Sequence, residues 1–344
     1  MRELLPQIDQ WTTAEKPFAI VRVIQTWGSS PRPVGSAMLV SPDMEIAGSV
    51  SGGCVEGAVV KAALPILESG ESQRLAFGVA HEDAWAVGLS CGGKMQVFAE
   101  RFLAYNEDEK EQAVWQELQS RLHQNKGCVL ITALQDGPAR HTLILPDGSS
   151  LGYDVADSVK EAGMQSYRER RHQVFEQENE AWFVQVFARK SQLLIIGAAH
   201  ITTELVRLGN LYDFETVVTD PRGVFSEKTQ FPVAPDAIFT EYPAEILPKY
   251  DLDAYTFAVI LSHDPKIDDN ALEILLRSEV AYIGALGSKK THAKRINRLT
   301  RAGFTEEELT RIHAPIGVSI NAKRPKEIAL SIMAQIIEVQ NSFR

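Results

Sequence analysis

From Leu193 onward the chain alternates short apolar runs with stretches of helical spacing, and this alternation narrows the fold more than any other feature. Leu193–Ile196, Thr216–Thr219, Ala237–Thr240, Phe257–Ser262 and Ala281–Ala285 read as buried strands. Ile201–Leu208, Asp269–Arg277, His292–Arg301 and Pro325–Val339 read as helices, the last with proline at its start. Strands that are apolar on both faces and joined by helices pair in parallel, with helices covering both sides of the sheet. The C-terminal half is therefore expected to be a Rossmann-like, doubly wound α/β domain.

The N-terminal half has a different texture. Ala19–Thr26, Ala37–Ser41, Ile46–Val50, Gln73–Phe77 and Lys94–Glu100 read as strands, and Val55–Glu68 as a helix. A polar amphipathic stretch, 106–124, reads as a second helix, followed by strands at Gly127–Ala133, His141–Leu145 and Trp182–Ala188. The expectation is a mixed α+β domain over residues 1–190 and the Rossmann-like domain over 191–344, divided near Arg189–Gln192. Val129-Leu130-Ile131-Thr132 echoes Val21-Arg22-Val23-Ile24, and Leu145-Pro146-Asp147 echoes Val40-Ser41-Pro42-Asp43. Two readings stand: an internal half-repeat, or a chance likeness of two hairpins.

At 344 residues, two domains are the natural division. A net charge of −10 argues against nucleic acid and anionic membrane surfaces, both of which select a basic face. No stretch reaches the length of an apolar membrane span, and Met1–Gln10 lacks the apolar core of a secretory signal. Three cysteines are few and odd in number, which fits a reduced, cytoplasmic protein.

Two of those cysteines sit in glycine-rich runs, Ser51-Gly52-Gly53-Cys54-Val55-Glu56 and Gly88-Leu89-Ser90-Cys91-Gly92-Gly93. Glycine lets backbone approach a ligand closely, and a thiolate is a nucleophile, sulfur carrier or soft metal ligand. Cys54 is expected at a helix start, where the amides favour a thiolate and, with those of Gly52 and Gly53, can hold an anion. The alternative is that both thiols are small buried hydrophobes. Cys128, within an apolar run, reads as packing. His81 with Glu82-Asp83 reads as a solvated loop.

The Rossmann-like half carries Gly197-Ala198-Ala199-His200-Ile201-Thr202, which keeps only the first glycine of the G-x-G-x-x-G dinucleotide fingerprint. Asp220 ends the next strand, where an acid contacts a ribose 2′-OH. A nucleotide-type ligand at the following helix, or a fold relic that binds nothing, both fit. His263-Asp264 offers proton transfer or, alternatively, a helix cap with a polar neighbour. Gly287-Ser288-Lys289 offers a phosphate grip or a plain strand exit.

Taken together these residues resemble the XdhC/CoxI family. In the N-terminal half the likeness rests on Gly28-Ser29-Ser30-Pro31-Arg32, Gly35 and the two glycine-cysteine runs. In the C-terminal half it rests on Ile195–His200, Asp220-Pro221-Arg222, His263-Asp264, Tyr282-Ile283-Gly284, Gly287-Ser288-Lys289, Pro315-Ile316-Gly317 and Pro325–Gln335. The resemblance implies a non-catalytic accessory chaperone that binds molybdenum cofactor, assists its sulfuration and delivers it to a molybdenum hydroxylase such as xanthine dehydrogenase. It implies Cys54 and Cys91 as the working thiols and contacts to molybdenum through the cofactor. Arg32, Gly52, Gly53, Gly92, Gly197, His200, Asp220, His263, Asp264, Gly287 and Ser288 would bind the cofactor, in mononucleotide or dinucleotide form. Arg32 would meet a phosphate or pterin carbonyl, or only cap its loop. A cysteine desulfurase and a second copy of the chain are further implied partners. The competing reading is an NAD(P)-dependent oxidoreductase, with Asp220 selecting NAD and His263 as acid/base. The sequence departs from the family at Ala199 and Asn321, where glycine is usual, which adds side chain near the expected crevice.

Overall fold

The protein, seen as a computed structural model, is described over residues 1–28, 32–78, 93–105, 108–177, 180–223 and 231–342. It divides into two units, Met1–Arg189 and Lys190–Arg344.

The first unit opens with helix α1 (Leu5–Thr13) and an antiparallel meander of β1 (Ala19–Trp27), β2 (Ala37–Val40) and β3 (Ile46–Gly48). Helix α2 (Glu56–Ser69) follows, then β4 (Glu71–Phe77) and β5 (Lys94–Arg101), which pair with each other. β5 returns to pair with β1, giving the order β3-β2-β1-β5-β4. After α3 (Glu109–His123) comes β6 (Cys128–Ala133), a two-residue β7 (Gly137–Pro138) that pairs with β4, then β8 (His141–Ile144) and β9 (Ser150–Gly152). Helix α4 (Asp157–Glu169), β10 (Gln173–Gln177) and β11 (Glu180–Phe187) complete a second sheet of order β9-β8-β6-β11-β10. Matching β6 to β1, β8 to β2, β9 to β3, α4 to α2, β10 to β4 and β11 to β5 superposes the two orders. The short sequence echo is thus the trace of a repeated β-β-β-α-β-β unit, and the half-repeat reading holds.

Alternation along the strands sets the layers. Ala19, Val21 and Val23 pack with Val59, Ala63 and Ile66 of α2. Ile20, on the other face of β1, packs with Cys128, Leu130 and Leu143 of the second sheet. Val129 and Ile131 turn the opposite way, onto Val159 of α4. The result is four layers: α2, first sheet, second sheet, α4. Cys128 is fully buried between the sheets, as expected of a packing residue, and burial pushes its thiol up to about 11.

A charged cluster is sealed in the same inter-sheet space. Arg22 on β1, Glu100 on β5, Glu111 on α3, His141 on β8 and Gln185 on β11 are each at most 1% exposed. Arg22 pairs with Glu100 and donates from Nη1 to Gln185 Oε1 at 3.2 Å. His141 Nδ1 lies 2.6 Å from Glu111 Oε2, its Nε2 lies 3.2 Å from Glu100 Oε2, and its amide donates to Glu111 Oε1 at 2.8 Å. Burial opposes a charged imidazole, but Glu100 and Glu111 overcome it and raise His141 to about 9. Burial likewise opposes ionisation of Glu100, and Arg22 and His141 overcome it, holding that carboxyl below its usual range. Two cations thus face two carboxylates and the cluster is neutral.

The second unit is the expected α/β fold. Its elements are β12 (Gln192–Ile196), α5 (His200–Leu211), β13 (Glu215–Thr219), β14 (Ala237–Phe239), α6 (Pro243–Ile246), β15 (Thr256–Ile260), α7 (Pro265–Leu275), β16 (Tyr282–Ala285), α8 (Lys289–Arg301), α9 (Glu306–Thr310), β17 (Ile312–His313) and α10 (Pro325–Ser342). The strands pair in parallel in the order β14-β13-β12-β15-β16-β17, the Rossmann order. Leu194, Ile196, Ala258 and Ile260 face Ile267, Leu272 and Leu275 of α7 and Leu299 of α8. Leu193, Ile195, Phe257 and Val259 face Leu205 and Val206 of α5 and Ile332, Met333 and Ile336 of α10. Each central strand is apolar on both sides because each side is covered. Among the described residues, no helix is long and apolar enough to cross a membrane.

Two outcomes are expected of the first unit. Glu100→Gln strands Arg22 without its carboxylate and should cost about 3–5 kcal/mol in urea unfolding. His141 is raised from 6.5 to about 9, so its contribution is fully present below about pH 6.5 and is lost as pH rises through about 9. The melting temperature of the wild type should fall over that window, and the fall should shrink in His141→Gln.

Candidate functional site

In the first unit the site is the loop between β3 and α2. Glycine is required where the chain turns through positive φ, at Gly52 (76°) and Gly53 (120°). The loop closes on Glu56, the first residue of α2. Its carboxylate accepts from Ser49 Oγ at 2.6 Å, from the Ser51 hydroxyl, and from the amides of Ser51 at 3.0 Å, Gly53 at 2.9 Å and Val55 at 3.2 Å. Burial raises such a carboxyl, but the Ser49 and Ser51 hydrogen bonds dominate together and hold Glu56 at about 2. Gly52 donates its amide to Ser49 Oγ at 2.8 Å. The anion expected at these amides is therefore supplied by the chain's own Glu56, which also meets the positive end of α2.

This arrangement leaves Cys54 one residue before the cap Val55, half-buried and packed on the core beneath α2. Beside it, Gly53 faces open space: a Cβ built there would meet nothing within 4 Å. A half-buried thiol thus sits next to a bare backbone surface. Arg32 Nη2 lies 3.5 Å from Glu3 Oε2. Cys91 and Gly92, together with Ser29-Ser30-Pro31 and His81, lie outside the described residues.

In the second unit the expected residues gather at the C-terminal ends of the central strands. Gly197 follows β12 at φ 106°, and a Cβ there would lie 2.7 Å from the backbone N and Cα of Ser262, at the end of β15. The first fingerprint glycine is needed for strand-to-strand approach. Ala199 caps α5 in extended backbone (φ −100°, ψ −174°) that alanine adopts without strain. His200 is exposed on the first turn of α5. Asn321 takes φ 55°, the left-handed region where glycine is free and asparagine is tolerated. That explains why these two departures from glycine fit the fold.

Asp220 is fully buried, and its carboxylate turns inward. It accepts from the Ala198 amide at 2.8 Å, the Arg222 amide at 3.0 Å, Arg222 Nε at 2.8 Å and Arg222 Nη2 at 2.6 Å. Burial opposes its charge, while Arg222 and the Ala198 amide hold it below the usual carboxylate range. Arg222 Nη1 also donates to Ser262 O at 3.1 Å. The Ser262 hydroxyl donates to Asp268, which pairs at 3.1 Å with Arg295, whose Nη2 donates to Leu286 O at 3.0 Å. One chain of polar contacts thus stitches the ends of β12, β13, β15 and β16 together.

Asp264 caps α7, accepting from the Lys266 amide at 2.9 Å, so the helix-cap reading holds for it. His263 beside it is exposed at φ 61°. Ser288 caps α8, accepting from the Thr291 amide at 3.2 Å, and Gly287 precedes it at φ 135°. Sequence reasoning missed Glu56, Arg222, Ser262, Asp268 and Arg295 as organisers. A signal was present for Glu56 and Arg222, each a charged residue inside a motif already singled out.

Comparison with known proteins matches both units. The family described as XdhC Rossmann domain matches residues 193–336, and the XdhC and CoxI family matches residues 11–78. The chain is 25% identical over 342 residues to a protein of Bacillus subtilis (strain 168) named as a probable component of xanthine dehydrogenase, covering 97% of this chain and 96% of that protein. It is 26% identical over 326 residues to the molybdenum cofactor insertion chaperone PaoD of Escherichia coli (strain K12), covering 94% of this chain and 84% of that one. A crystal structure described as a xanthine dehydrogenase from Bacillus halodurans superposes with a TM-score of 0.77 at 28% identity, over 99% of this chain and 96% of the other.

Two substitutions test the loops. Glu56→Gln removes charged acceptors from the loop donors and should lower stability by about 1.5–3 kcal/mol, read by urea unfolding. Because Glu56 is lowered to about 2, its contribution is present above about pH 4.5 and lost as pH falls toward 2; Glu56→Gln should flatten that acid limb. Gly197→Ala should destabilise the second unit by roughly 2 kcal/mol or more, through positive φ and backbone overlap with Ser262.

Proposed function

The chain belongs to the XdhC and CoxI family, and from that premise we propose that it is an accessory chaperone of a xanthine dehydrogenase-type molybdenum hydroxylase, binding molybdenum cofactor and assisting its sulfuration and insertion. The observation that carries this reading is the match of nearly the whole chain to a relative named as a molybdenum cofactor insertion chaperone. The cofactor is cargo here, and the residues suit its chemistry. Among the described residues, no group of three or more His, Cys, Asp or Glu could hold a metal ion. A metal that arrives already ligated within its cofactor requires no such group, only one or two soft donors.

In this reading the first unit meets the molybdenum end. Cys54 and Cys91 are the thiols, Gly52 and Gly53 keep the backbone bare beside Cys54, and Gly92 is a further contact for the cofactor. Glu56 holds the Cys54 loop in shape. The second unit offers an anion site of its own at the α5 N-terminus after Gly197, with His200 at its edge and Arg222 set by Asp220. The hydroxylase apoenzyme receives the cofactor, a cysteine desulfurase supplies sulfur, and the protein works in the cytoplasm as a homodimer.

The test is anaerobic purification of wild type and a Cys54→Ser/Cys91→Ser double variant, followed by molybdenum and pterin analysis and activation of an apo-hydroxylase. The double variant should retain several-fold less cofactor and activate poorly. Equal retention and equal activation would remove the thiols from the mechanism. Calorimetric titration of the same preparations with NADH separates the oxidoreductase alternative: binding of NADH with no cofactor retained would favour it.

A further inference from the structure

The second unit contains a cavity of about 390 Å³ beside the ends of β15 and β16. His263, Asp268, Lys290, Lys294, Arg295 and Arg298 are among the residues that line it. Three features of its wall call for an anion. The first is charge. Four cationic side chains face a single carboxylate, in a chain whose net charge is −10. Asp269 neutralises Arg298 through a two-point pair, with Nη2 at 2.9 Å from Oδ1. Asp268 is spent on Arg295 and Ser262. Lys290 and Lys294, both exposed, remain as surplus positive charge.

The second is Arg295, which is 1% exposed. Its Nη2 serves Asp268 and Leu286, but Nε and Nη1 are buried and have no hydrogen-bond acceptor among the described residues. An unmet buried donor costs about 1–3 kcal/mol, and more when charged. The third is the helix that bears these residues. α8 begins Lys289-Lys290 with no acidic residue in its first turn. Cations at the positive end of a helix are unfavourable by about 0.3–1 kcal/mol each, unless an anion sits there.

We propose that this cavity binds a phosphoryl group, with Arg295 as the buried donor at its wall and Lys290 and Lys294 as the charges that hold the anion from α8. A phosphoryl group carries up to two charges and three strong acceptor oxygens, which matches a guanidinium with free donors flanked by two ammonium groups. The volume admits a pyrophosphate or a phosphate ester as readily as a lone phosphate. His263 on its wall is also among the residues the family resemblance assigns to the cofactor, but the proposal rests on the charge, the buried guanidinium and the helix end described above and not on that assignment.

The experiment is calorimetric titration of inorganic pyrophosphate, and separately of AMP as a phosphate ester, into the full-length chain. Wild type should bind at least one of them. Lys290→Ala/Lys294→Ala should weaken that binding about tenfold or more, the loss of roughly 1.4 kcal/mol or greater, with an unchanged melting temperature. Arg295→Lys, which keeps the charge facing Asp268, should weaken it several-fold while circular dichroism stays native. Lys249→Ala/Lys326→Ala, exposed elsewhere on the same unit, should leave it unchanged. Preference for AMP would identify an ester as the natural source, and preference for pyrophosphate a free anion. No binding to wild type, or equal binding by wild type and Lys290→Ala/Lys294→Ala, would overturn the proposal. No molybdenum cofactor enters the measurement, so its failure is distinct from failure of the chaperone reading.

Discussion

A charge removed from water must meet a counter-charge, and both units are organised around that constraint. In the first unit Arg22, Glu100, His141 and Glu111 form a neutral set in the space between two sheets. Each member comes from a different element, so the set is satisfied in only one mutual placement of β1, β5, β8 and α3. The apolar clusters on either side provide the driving force for stacking the sheets. The charged set selects the alignment, because a one-residue slip of β1, β5 or β8 turns that strand's member to the wrong face and leaves its partners unpaired.

The second unit applies the same rule at the ends of its strands. Asp220 with Arg222 and Asp268 with Arg295 form two charge pairs joined through Ser262. Parallel strands need such ties because their ends otherwise leave loop amides and carbonyls unmatched. Ala198 and Leu286, the residues that leave β12 and β16, are held by this chain of contacts. The crevice where folds of this kind bind ligands is thus floored by a preorganised polar layer rather than by loose loop ends.

The loop around Cys54 shows how far a motif can be read and where the reading turns. Glycines flanking a cysteine at a helix start announced backbone close to a ligand. In the folded chain, the Gly53 amide and both flanking serines serve Glu56. What remains is an unobstructed glycine surface beside a half-buried thiol packed on the core. The motif is a rigid mount for one sulfur, and its acid holds the mount together. Asp220 behaves alike: an acid expected to face a ligand instead fixes the arginine beside it.

Much of the architecture was legible because periodicity is a local property. Apolar runs alternating with helical stretches imply parallel strands under two helix layers, and the second unit has them; the order β14-β13-β12-β15-β16-β17 came from the structure. The echo of Val21–Ile24 in Val129–Thr132 carried the repeat in the first unit, faintly, since topology survives after side chains diverge. Helices α1 and α4 went unread; α4 buries only Val159, Gly163 and Ser166 in a mostly polar stretch, too little to set a stripe. The sequence by itself therefore determined the fold class, the glycine turn at Gly52-Gly53 and the place of Cys54 just before α2. The tertiary structure alone decided that Arg22 meets Glu100, that Asp220 turns inward and that Arg295 is buried with donors to spare. Those outcomes depend on residues far apart in the chain, and local pattern encodes which face a side chain occupies but not which partner waits across it.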